Sequence, residues 1–158
     1  MIIEKRLNEL NIKLPKCPKP AAIYVPVVLS DKFIFVSGQT PKDGNTLLYR
    51  GKLGKDLTIE EGYEASRVCA LRCISALKSV VADLDDIEGI LKLTGYVNSC
   101  DNFYSQSQVI NGASEIIEEI FGDKGKHARV AVGVNTLPGN AAVEIELIAK
   151  VKEVSTKE

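Results

Sequence analysis

Two segments near the C-terminus, residues 128–135 and 141–151, alternate apolar residues with the two-residue period of a β-strand, and both carry charge inside that pattern. In the first, Val130, Val132 and Val134 fall on one face and Arg129, Ala131, Gly133 and Asn135 on the other. In the second, Val143, Ile145, Leu147 and Ala149 share a face, while Glu144, Glu146, Ile148 and Lys150 share its opposite. Desolvating an ion is expensive, so a charge planted in such a strand wants a partner. A guanidinium fork suits a carboxylate, and that carboxylate can belong to the protein or to a ligand. The small residues beside Arg129 leave space along its face, as a pocket wall would. If residues 137–140 close a hairpin, Arg129 falls opposite Ile148 and Glu144 opposite Gly133, roughly 13 Å apart along the strands. That register opposes a direct Arg129–Glu144 pair. A bulge or a neighbouring subunit would close the gap, so scaffold ion pair and ligand anchor both stay open.

The rest of the chain supplies three more strand-like runs and two long helical stripes. Residues 22–29 and 33–37 are rich in β-branched and aromatic residues and form a hairpin through Ser30, Asp31 and Lys32, with Pro26 marking an edge or bulge. Residues 42–57 form a loop that holds a short strand over 46–49. Thr58 and Glu61 have capping-box spacing and open a helix to about Val81, whose stripe is Ala70, Cys73, Ile74, Leu77, Val80 and Val81. A strand over 90–97 follows, then a helix over 103–121 with Val109, Ala113, Ile116, Ile117 and Ile120 on one face and Gly122 at its end. A short helix over 4–11 and a Pro15, Pro18, Pro20 lead-in precede all of this.

This ββ-α-β-α-ββ order predicts an α+β sandwich, a mixed β-sheet with two long helices packed on one face. It predicts a single domain over 1–158: an N-terminal extension over 1–19, a core over 20–151 and a tail over 152–158. Two helices on one side cannot also cover Val28, Phe33, Phe35, Val143 and Ile145, so an oligomer is expected to bury the open face.

Net charge of −1 and a pI near 5.9 offer no attraction to a phosphate backbone, so no nucleic-acid partner is expected. The charged N-terminus lacks the apolar core of a signal peptide, and no stretch approaches the roughly 20 apolar residues of a membrane span. A cytoplasmic protein without a membrane partner is expected. Cys69 and Cys73 stand one helical turn apart among Val68, Ala70, Leu71 and Ile74, and with Cys17 and Cys100 they read as small hydrophobes rather than metal ligands or disulfides.

The ordered set of Val36-Ser37-Gly38-Gln39-Thr40-Pro41 after a hairpin, Ala128-Arg129, Leu137-Pro138 and Val143-Glu144-Ile145-Glu146-Leu147-Ile148-Ala149 resembles the Rid family, also called YjgF/YER057c/UK114 and once labelled endoribonuclease L-PSP. The resemblance covers about residues 20–151. It implies a chorismate-mutase-like α+β fold and a homotrimer with active-site clefts between subunits. In the best-studied branch it implies hydrolysis of reactive imines and enamines to keto acids and ammonia. Position by position, it assigns Arg129 to the substrate carboxylate and Glu144 to the catalytic water. It further assigns Tyr24, Ser37, Gly38 and Asn111 to the substrate pocket. Because an imine is already electrophilic, no metal or organic cofactor is implied. Two departures mark a divergent subfamily. Ala131 stands where the deaminase branch often has cysteine, and Ile23-Tyr24-Val25-Pro26 keeps only the tyrosine of that branch's motif. A non-catalytic trimeric binder or sensor of small carboxylates would use the same arginine. An endoribonuclease fits the acidic balance and the lone histidine, His127, least well.

Overall fold

The Thr58–Glu61 capping box forms as its spacing requires. The Glu61 N–H donates to Thr58 Oγ1 at 3.2 Å, and the Thr58 N–H donates to Glu61 Oε2 at 2.8 Å. In the computed structural model, which describes residues 1–19 and 22–153, this box opens α2 (Ile59–Val80). The other elements are α1 (Ile2–Glu9), β1 (Val27–Ser30), β2 (Phe33–Gln39), β3 (Lys42–Asp43), β4 (Thr46–Leu47), β5 (Ile87–Asn98), α3 (Gln106–Phe121), β6 (Ala128–Val134) and β7 (Val143–Val151). Residues 154–158 of the expected tail, and 20–21 at the start of the expected core, lie outside the described residues.

β1, β2, β7, β5 and β6 form one sheet in that order, and β3 pairs with β4 in a small hairpin. All neighbours in the large sheet are antiparallel except β5 and β6, which run parallel with α3 as their crossover. This corrects the expected closing hairpin: β6 and β7 are not neighbours, because β5 lies between them. The Pro138–Asn140 turn reverses the chain, but a parallel partner for β5 must arrive by a long crossover, which leaves β6 at the edge.

The ladder begins after Pro26, which has no N–H to give, so the expected strand over 22–29 shrinks to Val27–Ser30. The first helix is displaced toward the N-terminus, to Ile2–Glu9. Asp85 accepts from the backbone N–H groups of Ile2 at 2.6 Å and Ile3 at 2.9 Å, satisfying donors that a helix start leaves free.

Both long helices cover one face of the sheet. Ile34, Val36, Leu93, Val97, Val143, Ile145, Leu147 and Ala149 are buried beneath them, against Ile74 and Leu77 of α2 and Ile110, Ile116, Ile117 and Ile120 of α3. Val143 and Ile145 are therefore satisfied within the chain, contrary to expectation. Cys69 and Cys73 are fully buried, their sulfurs 3.7 Å from Val143 O and 3.5 Å from Ile145 O, and burial pushes both thiols well above their ordinary pKa. The helices cross closely at Gly112, where a Cβ would fall 2.5 Å from Ser66 Oγ and nearer still to the carbonyl oxygen of Tyr63.

Among the described residues, nothing covers the opposite face. Val28, Phe33, Phe35, Val130 and Val132 there remain 39–48% exposed, beside half-buried Tyr96, Glu144, Glu146 and Ile148. A contiguous apolar sheet face of this kind marks an interaction surface. Among the described residues, no helix is long and apolar enough to cross a membrane.

Candidate functional site

Arg129 sits on the edge strand β6 and turns toward α3. Its Nη1 donates to Asn111 Oδ1 at 2.8 Å and to Ser114 Oγ at 3.3 Å, and its Nη2 reaches the Ser107 carbonyl at 3.5 Å. Asn111 and Ser114 lie three residues apart and so share one face of the helix. Each of these partners is neutral, and among the described residues no carboxylate pairs with the guanidinium. The arginine is thus oriented without being neutralised. The open space expected beside it is occupied by these α3 side chains.

His127 extends this cluster. Its Nδ1 lies 2.6 Å from the Gly125 carbonyl, which can only accept, so Nδ1 carries the proton. Nε2 lies 2.9 Å from the Ser114 hydroxyl. The histidine is engaged on both ring nitrogens.

A second cluster gathers around Glu144 on β7. The carboxylate lies over a bulge in β2 at Gly38, where a Cβ would fall 3.0 Å from Glu144 Cδ and closer to its Oε1, so any side chain there would displace the carboxylate from its present position. Ser37 donates its N–H to Pro26 O at 2.9 Å and its hydroxyl to Val25 O at 2.7 Å. Those two bonds hold the segment that carries Tyr24. The exposed Tyr24 ring walls a small cavity together with Gly38, Gln39 and Thr40. On β5, Tyr96 stands directly across from Glu144 and donates its hydroxyl to Glu146 Oε1 at 2.7 Å.

The fold gathers the sequence-expected residues into these two groups and keeps the groups apart. Gly95 pairs with Ala131 on one side and Ile145 on the other, so Arg129 shares the helix-covered face with Ile145. Glu144 and Glu146 point to the open face. Within one chain the scaffold pair between Arg129 and either glutamate is excluded, and the hairpin register that put Arg129 on the face of Glu144 is corrected by the parallel pairing. Sequence reading missed Ser114 and Tyr96, and Glu146, marked there as a strand charge, proves to be the partner of Tyr96. The first was legible as the i+3 neighbour of Asn111, and Tyr96 through its alternation with buried Leu93, Gly95 and Val97.

Burial, and secondarily the charge of Glu146, raises the Glu144 carboxyl above its ordinary pKa. A carboxyl raised on folding costs native stability wherever it is ionised, and that cost disappears once the pH falls below its unfolded pKa of about 4.3. Glu144→Gln is therefore expected to raise the melting temperature at pH 7, with the gain shrinking to nothing near pH 4. Thermal melts from pH 4 to 8 check this, and a variant less stable at pH 7 would contradict it.

The sequence profile of the family described as "YjgF/chorismate mutase-like, putative endoribonuclease" matches residues 4–151. The chain is 43% identical over 149 residues to protein TCP17 of Trypanosoma cruzi, covering 94% of this chain and 93% of that one. It is 36% identical over 144 residues to a RutC family protein of Aquifex aeolicus, covering 88% and 97%. The crystal structure of the protein Atu1372 from Agrobacterium tumefaciens superposes with a TM-score of 0.89 at 38% identity, covering 96% and 93%. With the mixed sheet, the paired helices and the ordered motifs in agreement, the chain belongs to the YjgF/chorismate mutase-like family, the Rid family.

Proposed function

We propose that the chain hydrolyses reactive 2-imino and enamine acids to 2-keto acids and ammonia, at a site completed when a second copy brings its Arg129 cluster to the Glu144 cluster of the first. The observation that carries this reading is the separation itself. A guanidinium held by neutral partners and a half-buried carboxylate face opposite sides of one sheet, and each lacks what the other supplies. An assembly that covers the apolar open face, a homotrimer as in the family resemblance, would also place Glu144 at an interface.

In this scheme Arg129, steadied by Asn111 and Ser114, grips the substrate carboxylate and fixes the imine carbon. Glu144 takes a proton from a water molecule as its oxygen bonds to that carbon, and its raised pKa suits the base to neutral pH. Glu144 returns that proton to the nitrogen, then takes the proton of the adduct hydroxyl as the carbonyl forms and the C–N bond breaks, so ammonia and the keto acid leave. Tyr24, Ser37 and Gly38 shape the floor beside the carboxylate of Glu144. No step requires a cofactor.

The neutral cradle of Arg129 equally supports a second reading, a non-catalytic binder of small carboxylates, which needs no activated water. One experiment separates them. With 2-iminobutyrate generated in situ by a dehydratase, the protein is expected to accelerate 2-oxobutyrate release over buffer. No acceleration sinks the deaminase reading, and saturable 2-oxobutyrate binding in that case supports the binder.

A further inference from the structure

Arg72 lies on α2 with only 7% of its surface exposed. Its Nη1 donates to the Lys42 carbonyl at 3.2 Å, and among the described residues its buried Nε has no hydrogen-bond partner. Among the described residues no carboxylate pairs with it. A desolvated guanidinium with an orphaned donor is costly, and an apolar side chain at this helix position would avoid that cost. The side chain lines a cavity of about 550 Å³ between the 15–19 segment and the β3–β4 turn. Lys16, Lys19 and Lys42 line the same cavity, with Asp43 as its one acid. Four cations against one anion leave an excess of three positive charges along the walls of this partly open cavity. That volume falls within the roughly 300–1,000 Å³ of small-molecule sites, well beyond the needs of a bare ion.

We propose that this cavity binds a small phosphate monoester, its phosphoryl oxygens bridging the free edge of the Arg72 guanidinium and the three lysine ammonium groups. A guanidinium presents its N–H groups as a fork matched to phosphate oxygens, and lysines add point charge. A dianion neutralises most of the three-charge excess, whereas a single carboxylate leaves two charges uncompensated. The site is separate from the Arg129 cluster. It adjoins the Tyr24–Gly38 cavity across a shared wall of Pro18, Lys19, Lys42 and Arg72.

The test is calorimetric titration and thermal melting of the full chain with glycerol 3-phosphate, inorganic phosphate and, at matched ionic strength, succinate. Glycerol 3-phosphate is expected to bind saturably and raise the melting temperature. Arg72→Met is expected to weaken that binding at least tenfold while melting no lower than wild type without ligand, since it removes an uncompensated charge. The exposed pair Lys16→Ala/Lys19→Ala puts no core packing at risk and is expected to show a similar loss, so it decides the matter even if Arg72→Met fails to fold. Absence of saturable glycerol 3-phosphate binding, unchanged affinity in the lysine pair, or equal affinity for succinate would each overturn the proposal. Deaminase activity plays no part in these readouts, so the two proposals fail independently.

Discussion

Gly112→Val is expected to cost more than about 3 kcal/mol of stability, the upper range for forcing volume into a packed interior. Residue 112 faces the backbone of α2. The first carbon of any side chain there would fall 2.5 Å from Ser66 Oγ and 2.9 Å from the carbonyl carbon of Tyr63. A flexible side-chain tip could swing away, but a helix backbone cannot, so α2 and α3 must separate. Separation would also break the bond from Ser66 Oγ on α2 to Val109 O on α3 at 2.7 Å, which ties the helices together at this level. Glycine-to-alanine exchange within an ordinary exposed helix gains roughly 0.5–1 kcal/mol. Even Gly112→Ala is expected to reverse that sign. Urea unfolding of both variants checks the account, and an alanine variant more stable than wild type would refute the close crossing.

Arg129→Ala is expected to lower kcat/KM for the imine at least a hundredfold while leaving the fold largely intact. Two charge-assisted hydrogen bonds to a carboxylate contribute about 1.5–3 kcal/mol each, and every 1.4 kcal/mol is a factor of ten. The stability effect is smaller. The partners left behind, Asn111 Oδ1, Ser114 Oγ and the Ser107 carbonyl, lie at the rim of the sheet, where water can replace the guanidinium. Arg129→Lys should recover only part of the loss, because an ammonium cannot reproduce the fork or span Asn111 and Ser107 together. Steady-state kinetics paired with 2-oxobutyrate titration measures both effects. Wild-type affinity in the alanine variant would remove Arg129 from the role of anchor.

Much of this architecture is written locally in the chain. The Thr58–Glu61 box, the stripes of α2 and α3, the β1–β2 hairpin and the burial of Cys69 and Cys73 each depend on residues within a few positions of one another. The alternation along β6 and β7 was also legible, since Arg129 does stand with Ala131 and apart from the valines. Alternation says which residues share a face of one strand, but not which strand lies next to it. The Leu137-Pro138-Gly139-Asn140 turn signal suggested adjacency, and the pairing of β5 with both β6 and β7 overrode it. Both consequences for the site follow from that one long-range fact: Arg129 and Glu144 part to opposite faces, and Tyr96 becomes the neighbour of Glu144. Arg72 escaped notice for a related reason. Its helix position looks solvent-facing until the 15–19 segment and the β3–β4 turn close over it.

The helix α3 holds Arg129 through Asn111 and Ser114 and meets α2 through Gly112, one of the two residues between them in sequence. Four consecutive positions thus serve two masters. A substitution that tilts the helix by a few tenths of an ångström to relieve crowding against α2 carries the guanidinium with it. Drift in the helix interface would register first as altered ligand geometry and only later as unfolding. Selection for packing and selection for recognition therefore fall on the same short stretch of chain, which leaves it little neutral sequence space to explore.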